Sequence, residues 1–328
     1  MTRARILVTS TFTTPFIAND VALLSERYSV RHLVASGPAA PAAIVAGVLG
    51  ADCVFCWFAS TYAAAAVAAA RTFGRKSIIA VGGADVAYEP AIGYGIWRSP
   101  WKARLVRSAL RGADRILAVD PYLAEQAAFR GEYPGQNIAV LPTGYDVSRW
   151  TPGGERARRV VTVAACDSEE RMKVKGISLL LDAARRIPDV PFTLVGIHAR
   201  FLAALRERAP GNLRVLGPVS QEELLSLYRG AAVYCQSSVV EGLPNSVCEA
   251  MLCGCVPVGT DVGGMSSAFG GTGILVPPGD AARLADGILK GLSAPPEAAT
   301  LCRASIAERF PMERRRDGLF RVVAELLA

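Results

Sequence analysis

Histidine is almost missing from this chain: only His32 and His198 occur in 328 residues. Eight cysteines are too few for a disulfide scaffold in a chain of this length. Cys53 and Cys56 lie inside a strand-like apolar run, and Cys253 and Cys255 flank Gly254 at a helix-to-strand turn. With so little histidine to complete a ligand set, neither pair reads as a zinc site, and all eight cysteines read as reduced, buried thiols. Charge is also scarce, at 20% of residues against 51% hydrophobic, which excludes a disordered chain. Glycine is absent where a dinucleotide fingerprint needs it. The first predicted strand runs into Thr9-Ser-Thr-Phe-Thr-Thr-Pro15, which excludes an NAD-dependent dehydrogenase.

Long apolar runs are missing too. The start, MTRARILVTSTF, has only Ile6, Leu7 and Val8 in sequence before Thr9, so no secretory signal is expected and a cytoplasmic setting is. Cys53 to Ala70 is free of charge, but Ser60 and Thr61 interrupt it. It reads as a strand followed by an alanine-rich helix rather than a membrane span.

What is present is a basic excess and a repeated alternation. Lysine and arginine number 36 against 29 acids, a formal charge of +7. The first 150 residues hold 15 against 10, and the remainder 21 against 19. That balance suits an anionic partner such as a phosphorylated ligand or a membrane face. Nucleic acid is not expected, because no binding motif accompanies the charge.

Short β-branched runs alternate with helical patterns: Arg5–Thr9, Tyr28–Val34, Asp52–Phe58, Ser77–Val81, Arg115–Val119 and Asn137–Leu141. After Trp150-Thr-Pro-Gly-Gly154, which reads as a linker, the pattern restarts at Val160–Ala164, Phe192–Val195 and Leu213–Leu216. It continues through Ala232–Gln236, Val256–Gly259 and Gly273–Val276. Continuously apolar strands belong to parallel sheets covered on both faces. The prediction is an α/β protein of two doubly wound Rossmann-like domains, 1–150 and 155–310, facing one another across a cleft. A last helix, 311–328, is expected to pack across both, with Glu313-Arg-Arg-Arg-Asp317 merely solvated.

The most informative segment is Glu241-Gly-Leu-Pro-Asn-Ser-Val-Cys-Glu249, followed by Ala250-Met-Leu-Cys-Gly-Cys-Val-Pro-Val258. Asn245 or Ser246 is expected to cap a short helix that Gly254 ends. Backbone N–H groups of Gly242, Leu243, Asn245 and Ser246, on either side of Pro244, would form an anion site at its amino end. Glu249, one turn in, is suited to accept hydrogen bonds from a vicinal diol, and Glu241 from a second sugar.

This spacing resembles the retaining nucleotide-sugar glycosyltransferases of family 4, which have the GT-B fold. The resemblance extends over most of Val160–Arg309. It takes in Lys175-Gly176, Gly217-Pro-Val219, Asp261-Val-Gly-Gly264 and Gly273-Ile-Leu-Val-Pro-Pro-Gly-Asp280. The N-terminal half matches loosely, as is usual for the acceptor-binding domain of such enzymes. By resemblance, Glu249 would hold the donor's ribose hydroxyls and Glu241 would sit by the donor sugar. The amides of Gly242–Asn245 would contact sugar and phosphate, and Lys175 would neutralise the diphosphate leaving group. Val219 and His198 would lie near the base.

Three departures stand out. Ala165-Cys166 replaces the usual Gly-Arg, so Arg171, in what reads as a longer loop from Asp167 to Lys173, is the candidate second phosphate clamp. Ser267 stands where a glutamate is usual. Val81-Gly-Gly-Ala-Asp85 replaces a His-Gly, leaving Asp85 either as a catalytic group touching donor or acceptor, or as a loop cap. No Asp-x-Asp pair occurs, so no metal or other cofactor is expected.

Arg104, Arg107, Arg111 and Arg115 fall at helical spacing near Trp97 and Trp101, a face suited to anionic lipid. The expected function is transfer of a hexose from a UDP- or GDP-sugar to a hydroxyl acceptor, glycan or lipid-linked. The rivals are an epimerase or phosphorylase of the same fold, and a silent nucleotide-sugar-binding protein.

Overall fold

The computed structural model describes residues 3–328. They divide into two compact units: residues up to Gly144 together with Met312–Ala328, and Tyr145–Pro311.

The first unit holds β1 (Arg5–Ser10), β2 (Ser29–Val34), β3 (Cys53–Trp57), β4 (Lys76–Val81), β5 (Arg115–Ala118) and β6 (Ile138–Val140). They pair in parallel in the order β2-β1-β3-β4-β5-β6. All of β3 is buried, as is β4 apart from Lys76. That double-sided burial is why their sequences carry no polar alternation. The charge-free run from Cys53 is thus β3 followed by the helix Thr61–Thr72, which Ser60 caps through the Ala63 N–H. Among the described residues no helix is long and apolar enough to cross a membrane.

The second unit holds β7 (Ala157–Cys166), β8 (Phe192–Ile197), β9 (Leu213–Val215), β10 (Ala231–Gln236), β11 (Val256–Thr260) and β12 (Ile274–Val276). Its parallel order is β12-β11-β10-β7-β8-β9. Leu180, Leu181 and Ala184 of the helix Ile177–Arg186 share a core with Val160, Leu194, Val258 and Ile288. Both sheets are doubly wound, as the alternation predicted. In each, the chain reverses its direction of travel beside the first strand, between β1 and β3 and between β7 and β10. Ligands of such sheets bind outside the carboxyl ends of the strands at these switch points.

Several sequence expectations change. The division falls at Gly144/Tyr145 rather than at 150, because Trp150 is buried against Tyr228 and its carbonyl accepts from Arg303 at 2.6 Å. The closing helix, Met312–Leu327, belongs to the first unit. Its Arg315 is not solvated: it is 1% exposed and clamps Asp20, Nη2 to Oδ2 at 2.6 Å and Nε to Oδ1 at 2.9 Å. The helix Ala40–Leu49 escaped the sequence reading, since APAAIVAGVL has no polar residue to set a period.

Candidate active site

Lys175 and Glu241 meet at the switch point of the second unit. Past β7 the chain forms a short helix, Glu169–Val174, which Lys175 closes. Ser168 accepts from the Arg171 N–H at 3.2 Å, and Glu169 and Glu170 favour the first turn. The expected long loop from Asp167 to Lys173 is therefore a capped helix. Gly176 follows at φ 61°, with its α-carbon so near the Ser237 carbonyl that a Cβ would overlap it. The Ser237 hydroxyl donates to the Lys175 carbonyl at 3.0 Å, and the Val239 N–H to the Val174 carbonyl at 2.8 Å. These contacts bind the lysine turn to the strand end that carries Glu241.

The Lys175 ammonium lies 2.6 Å from Glu241 Oε1, both groups largely buried. The same oxygen accepts from Ser238 Oγ at 2.6 Å and from Gln236 Nε2 at 2.7 Å. Gln236 Oε1 accepts from the Tyr234 hydroxyl at 2.7 Å, which also lies 2.8 Å from Ser246 Oγ. One network thus runs from Lys175 to the first turn of the helix Asn245–Leu252. Sequence reasoning missed Tyr234, Gln236 and Ser238. Their signal was a polar run closing an otherwise apolar strand.

That helix is not capped as expected. Pro244 takes the cap position, and no side chain among the described residues caps the amino end. Asn245 Oδ1 accepts from the Tyr145 hydroxyl at 2.8 Å, and the Ser246 hydroxyl is held by Tyr234. Gly242, Leu243 and Pro244 are buried, whereas Asn245 and Ser246 reach the surface in part. Glu249, one turn on and half-buried, lies 3.4 Å from the Tyr228 hydroxyl. Burial pushes its carboxyl up to about 8, against the weaker opposing pulls of Tyr228 and of Arg149.

Arg171 stands one helical turn before Lys175, and the charges of both are felt at the buried Cys166 thiol. His198 caps the helix Ala199–Arg208, its Nδ1 3.4 Å from the Arg200 nitrogen. Val219 is half-buried, next to the capping box that Ser220 and Glu223 form. Asp85 is in the first unit and departs from its catalytic expectation. It is buried, with Oδ2 accepting from the Ala59 N–H at 2.9 Å and Oδ1 from the Gly83 N–H at 2.8 Å. Burial pushes its carboxyl up to about 6 in spite of these bonds. Among the described residues no group of three or more His, Cys, Asp or Glu is placed to hold a metal ion.

The arginine stripe is largely committed to structure. The helix Pro100–Gly112 ends before Arg115, which lies on β5 and pairs with Glu325 at 3.5 Å. Arg107 Nε donates to the Arg130 carbonyl at 3.1 Å, and Arg111 Nε to the Gly131 carbonyl at 2.6 Å. Both cations cover the carboxyl end of the helix Pro121–Gly131, where the dipole favours them. Trp101 stays outside, 61% exposed, with Lys102 5.6 Å above its ring.

Residues 14–149 match the family described as Glycosyltransferase Family 4, and residues 157–294 the family described as Glycosyl transferases group 1. TuaC of Bacillus subtilis, assigned as a teichuronic acid biosynthesis glycosyltransferase, is 25% identical over 248 residues, 73% of this chain and 61% of that protein. D-inositol 3-phosphate glycosyltransferase of Mycolicibacterium smegmatis is 28% identical over 224 residues, 63% of this chain and 52% of its own. The chain thus spans 52–61% of the length of these relatives. Alr3699/HepE from Anabaena, solved with UDP-glucose, matches in fold with a TM-score of 0.80 at 16% identity, covering 98% of this chain and 100% of that one.

Proposed function

Because the chain belongs to the family 4, group 1 glycosyltransferases and carries their GT-B fold, we propose that it moves a hexosyl group from a UDP- or GDP-sugar to a hydroxyl acceptor, glycan or lipid-linked, with retention. The observation that carries this reading is the network joining Lys175, Glu241 and the uncapped amino end of the helix Asn245–Leu252. Its parts answer the needs of a nucleotide-sugar. Lys175, with Arg171 a turn away, offers positive charge to the diphosphate, on which charge grows as the glycosidic bond breaks. The helix amino end adds backbone N–H groups and its dipole. These do what a divalent cation would otherwise do, so the reaction proceeds without one.

All three donors to Glu241 crowd Oε1. Among the described residues Oε2 is thereby left to accept from a sugar hydroxyl. Glu249 accepts from the ribose diol, and His198 and Val219 flank the base. In the transfer itself the acceptor oxygen bonds to the anomeric carbon on the face the diphosphate leaves. The carbon–oxygen bond to phosphate breaks, and the departing phosphate oxygen takes the acceptor's proton. That route asks for no side-chain base. UDP-glucose in the structural neighbour supports a uridine donor, and the D-inositol 3-phosphate named for one relative supports a polyhydroxylated acceptor. The exposed Trp101–Lys102 corner supports contact with an anionic membrane surface.

A thermal-shift panel of UDP, GDP, ADP and their sugars tests the donor. The right nucleotide at 100 times its dissociation constant should stabilise the fold by about 2.7 kcal/mol. Incubation with donor alone separates the rivals: a released epimer would mean an epimerase. Absence of any nucleotide response would overturn the reading.

A further inference from the structure

At the switch point of the first unit the structure gathers aromatic rings. Phe12 lies just past β1 and Phe58 directly past β3, with ring centroids 5.4 Å apart. Phe16 adds a third ring set edge-on to Phe58 at 81°, 6.2 Å from it and 4.9 Å from Trp57. Phe12 is 48% exposed, and Phe16 and Phe58 are partly so. Phe58 adopts φ 70°, a left-handed conformation that a bulky residue rarely takes and that a fold keeps only where its surroundings enforce it.

The enforcement is visible. Asp85 holds the Ala59 N–H on one oxygen and the Gly82 and Gly83 N–H groups on the other, joining the strand ends of β3 and β4. Trp97 Nε1 in turn donates to the Asp85 carbonyl at 2.8 Å. A Cβ at Gly82 would come within 2.6 Å of Phe58 Cε1, so glycine there leaves the ring its room.

The chemistry around the shelf is narrow. Residues 6–19 and 53–70 carry no charge, while Thr11, Thr13, Ser60 and Thr61 supply hydroxyls. A pyranose ring has an apolar C–H face whose hydrogens carry partial positive charge, suited to the negative face of an aromatic ring. Its hydroxyl edge suits these hydroxyls, and its neutrality suits the two charge-free segments that carry the rings. We propose that Phe12 and Phe58, with Phe16 buttressing Phe58 edge-on, form a stacking platform for a neutral pyranose of the acceptor, and that Asp85 is the positioning residue that fixes it. This deepens the transferase reading and rests on it.

Saturation-transfer NMR with the methyl pyranosides of glucose, galactose, mannose and N-acetylglucosamine tests the platform directly. At least one should receive saturation on its ring protons. Phe12→Ala, at an exposed position, should weaken that binding by roughly twofold to tenfold, and Phe12→Tyr should preserve it. Asp85→Asn should weaken it while leaving UDP or GDP affinity unchanged, a separation that general loosening of the fold would not give. Glu241→Ala should retain the signal, which sets the shelf apart from the donor site. Failure of all four glycosides, or an unchanged signal in Phe12→Ala, would overturn the proposal. The nucleotide panel is read separately, so loss of the transferase reading would show as silent nucleotides beside a decided glycoside result.

Discussion

Lys175 and Glu241, 66 residues apart in sequence, close to 2.6 Å across the switch point of the second sheet. Replacing Lys175 with alanine removes the cation that faces the leaving diphosphate. Ser238 and Gln236 remain on the Glu241 carboxylate, so the fold should lose little. Turnover should fall about 100-fold to 1,000-fold, the range for loss of one preorganised charge-stabilising group, with only a small change in melting temperature. Near-normal turnover would remove Lys175 from the phosphate site.

Gly176 tests whether that pair depends on its backbone. Alanine there meets both a left-handed φ of 61° and the Ser237 carbonyl. The left-handed strain alone costs about 1–2 kcal/mol. Gly176→Ala should therefore lower stability and displace Lys175, reducing turnover although no side chain of the site has changed. Thermal unfolding and steady-state rates, measured on one preparation, check both parts.

Glu249 makes stability depend on pH. Its carboxyl is pushed from 4.5 up to about 8, with burial the largest cause. Between those values the unfolded chain has released a proton that the folded chain keeps, so stability falls as pH rises through the window. Glu249→Gln should flatten that fall, and the melting temperatures of the two proteins should diverge between pH 5 and 8. A ribose diol donates to the ionised form, so nucleotide binding near pH 7 should release a proton. Calorimetry in buffers of different ionisation enthalpy reads that release, and its absence would argue against a diol at Glu249.

The sequence made the sheets and the charged centre legible for different reasons. Continuously apolar strands such as Cys53–Trp57 announce parallel sheets whatever their partners. Glu241 and Glu249 were singled out by their spacing around a short helix, which is local information, and Lys175 by its likeness to a family pattern. What escaped depends on distant geometry. Tyr234 and Ser246 touch because β10 delivers one beside the helix that begins with the other. Arg107 and Arg111 look like a solvated stripe until the carboxyl end of the helix Pro121–Gly131 is set against them. Asp85 could be read as loop cap or catalyst until its oxygens were seen filled with backbone amides.

That reassignment of the stripe changes what arginine substitutions should do. Arg111→Gln loses bonds to the Gly131 and Glu132 carbonyls and should lower the melting temperature. If the exposed corner meets anionic lipid, removing Lys102 should cost about 1 kcal/mol of attraction at the surface, with Trp101→Ala adding to the loss. Sedimentation with phosphatidylserine vesicles at low and high salt separates the two effects. Equal binding by wild type and Trp101→Ala/Lys102→Gln would remove the membrane from the proposal.

Arg315 and Asp20 carry the last prediction. Their two-point contact is buried, Trp57 Nε1 adds a bond to Asp20 Oδ2 at 3.1 Å, and Arg315 Nη1 reaches the Leu141 carbonyl at 2.6 Å. The closing helix is thereby fixed to the first unit at its first turn. Arg315→Met leaves a carboxylate buried with one neutral donor, and breaking such a pair costs about 3–5 kcal/mol. In a unit of this size that should lower its melting temperature by about 10 °C. Asp20→Leu with Arg315→Met removes both charges and should recover much of the loss, because an apolar pair carries no desolvation penalty. Two units need not unfold together, so the measurement should resolve them. Hydrogen exchange on peptides from β1, β3 and the closing helix does so. Unchanged protection in Arg315→Met would mean that apolar packing, not this ion pair, holds the helix in place.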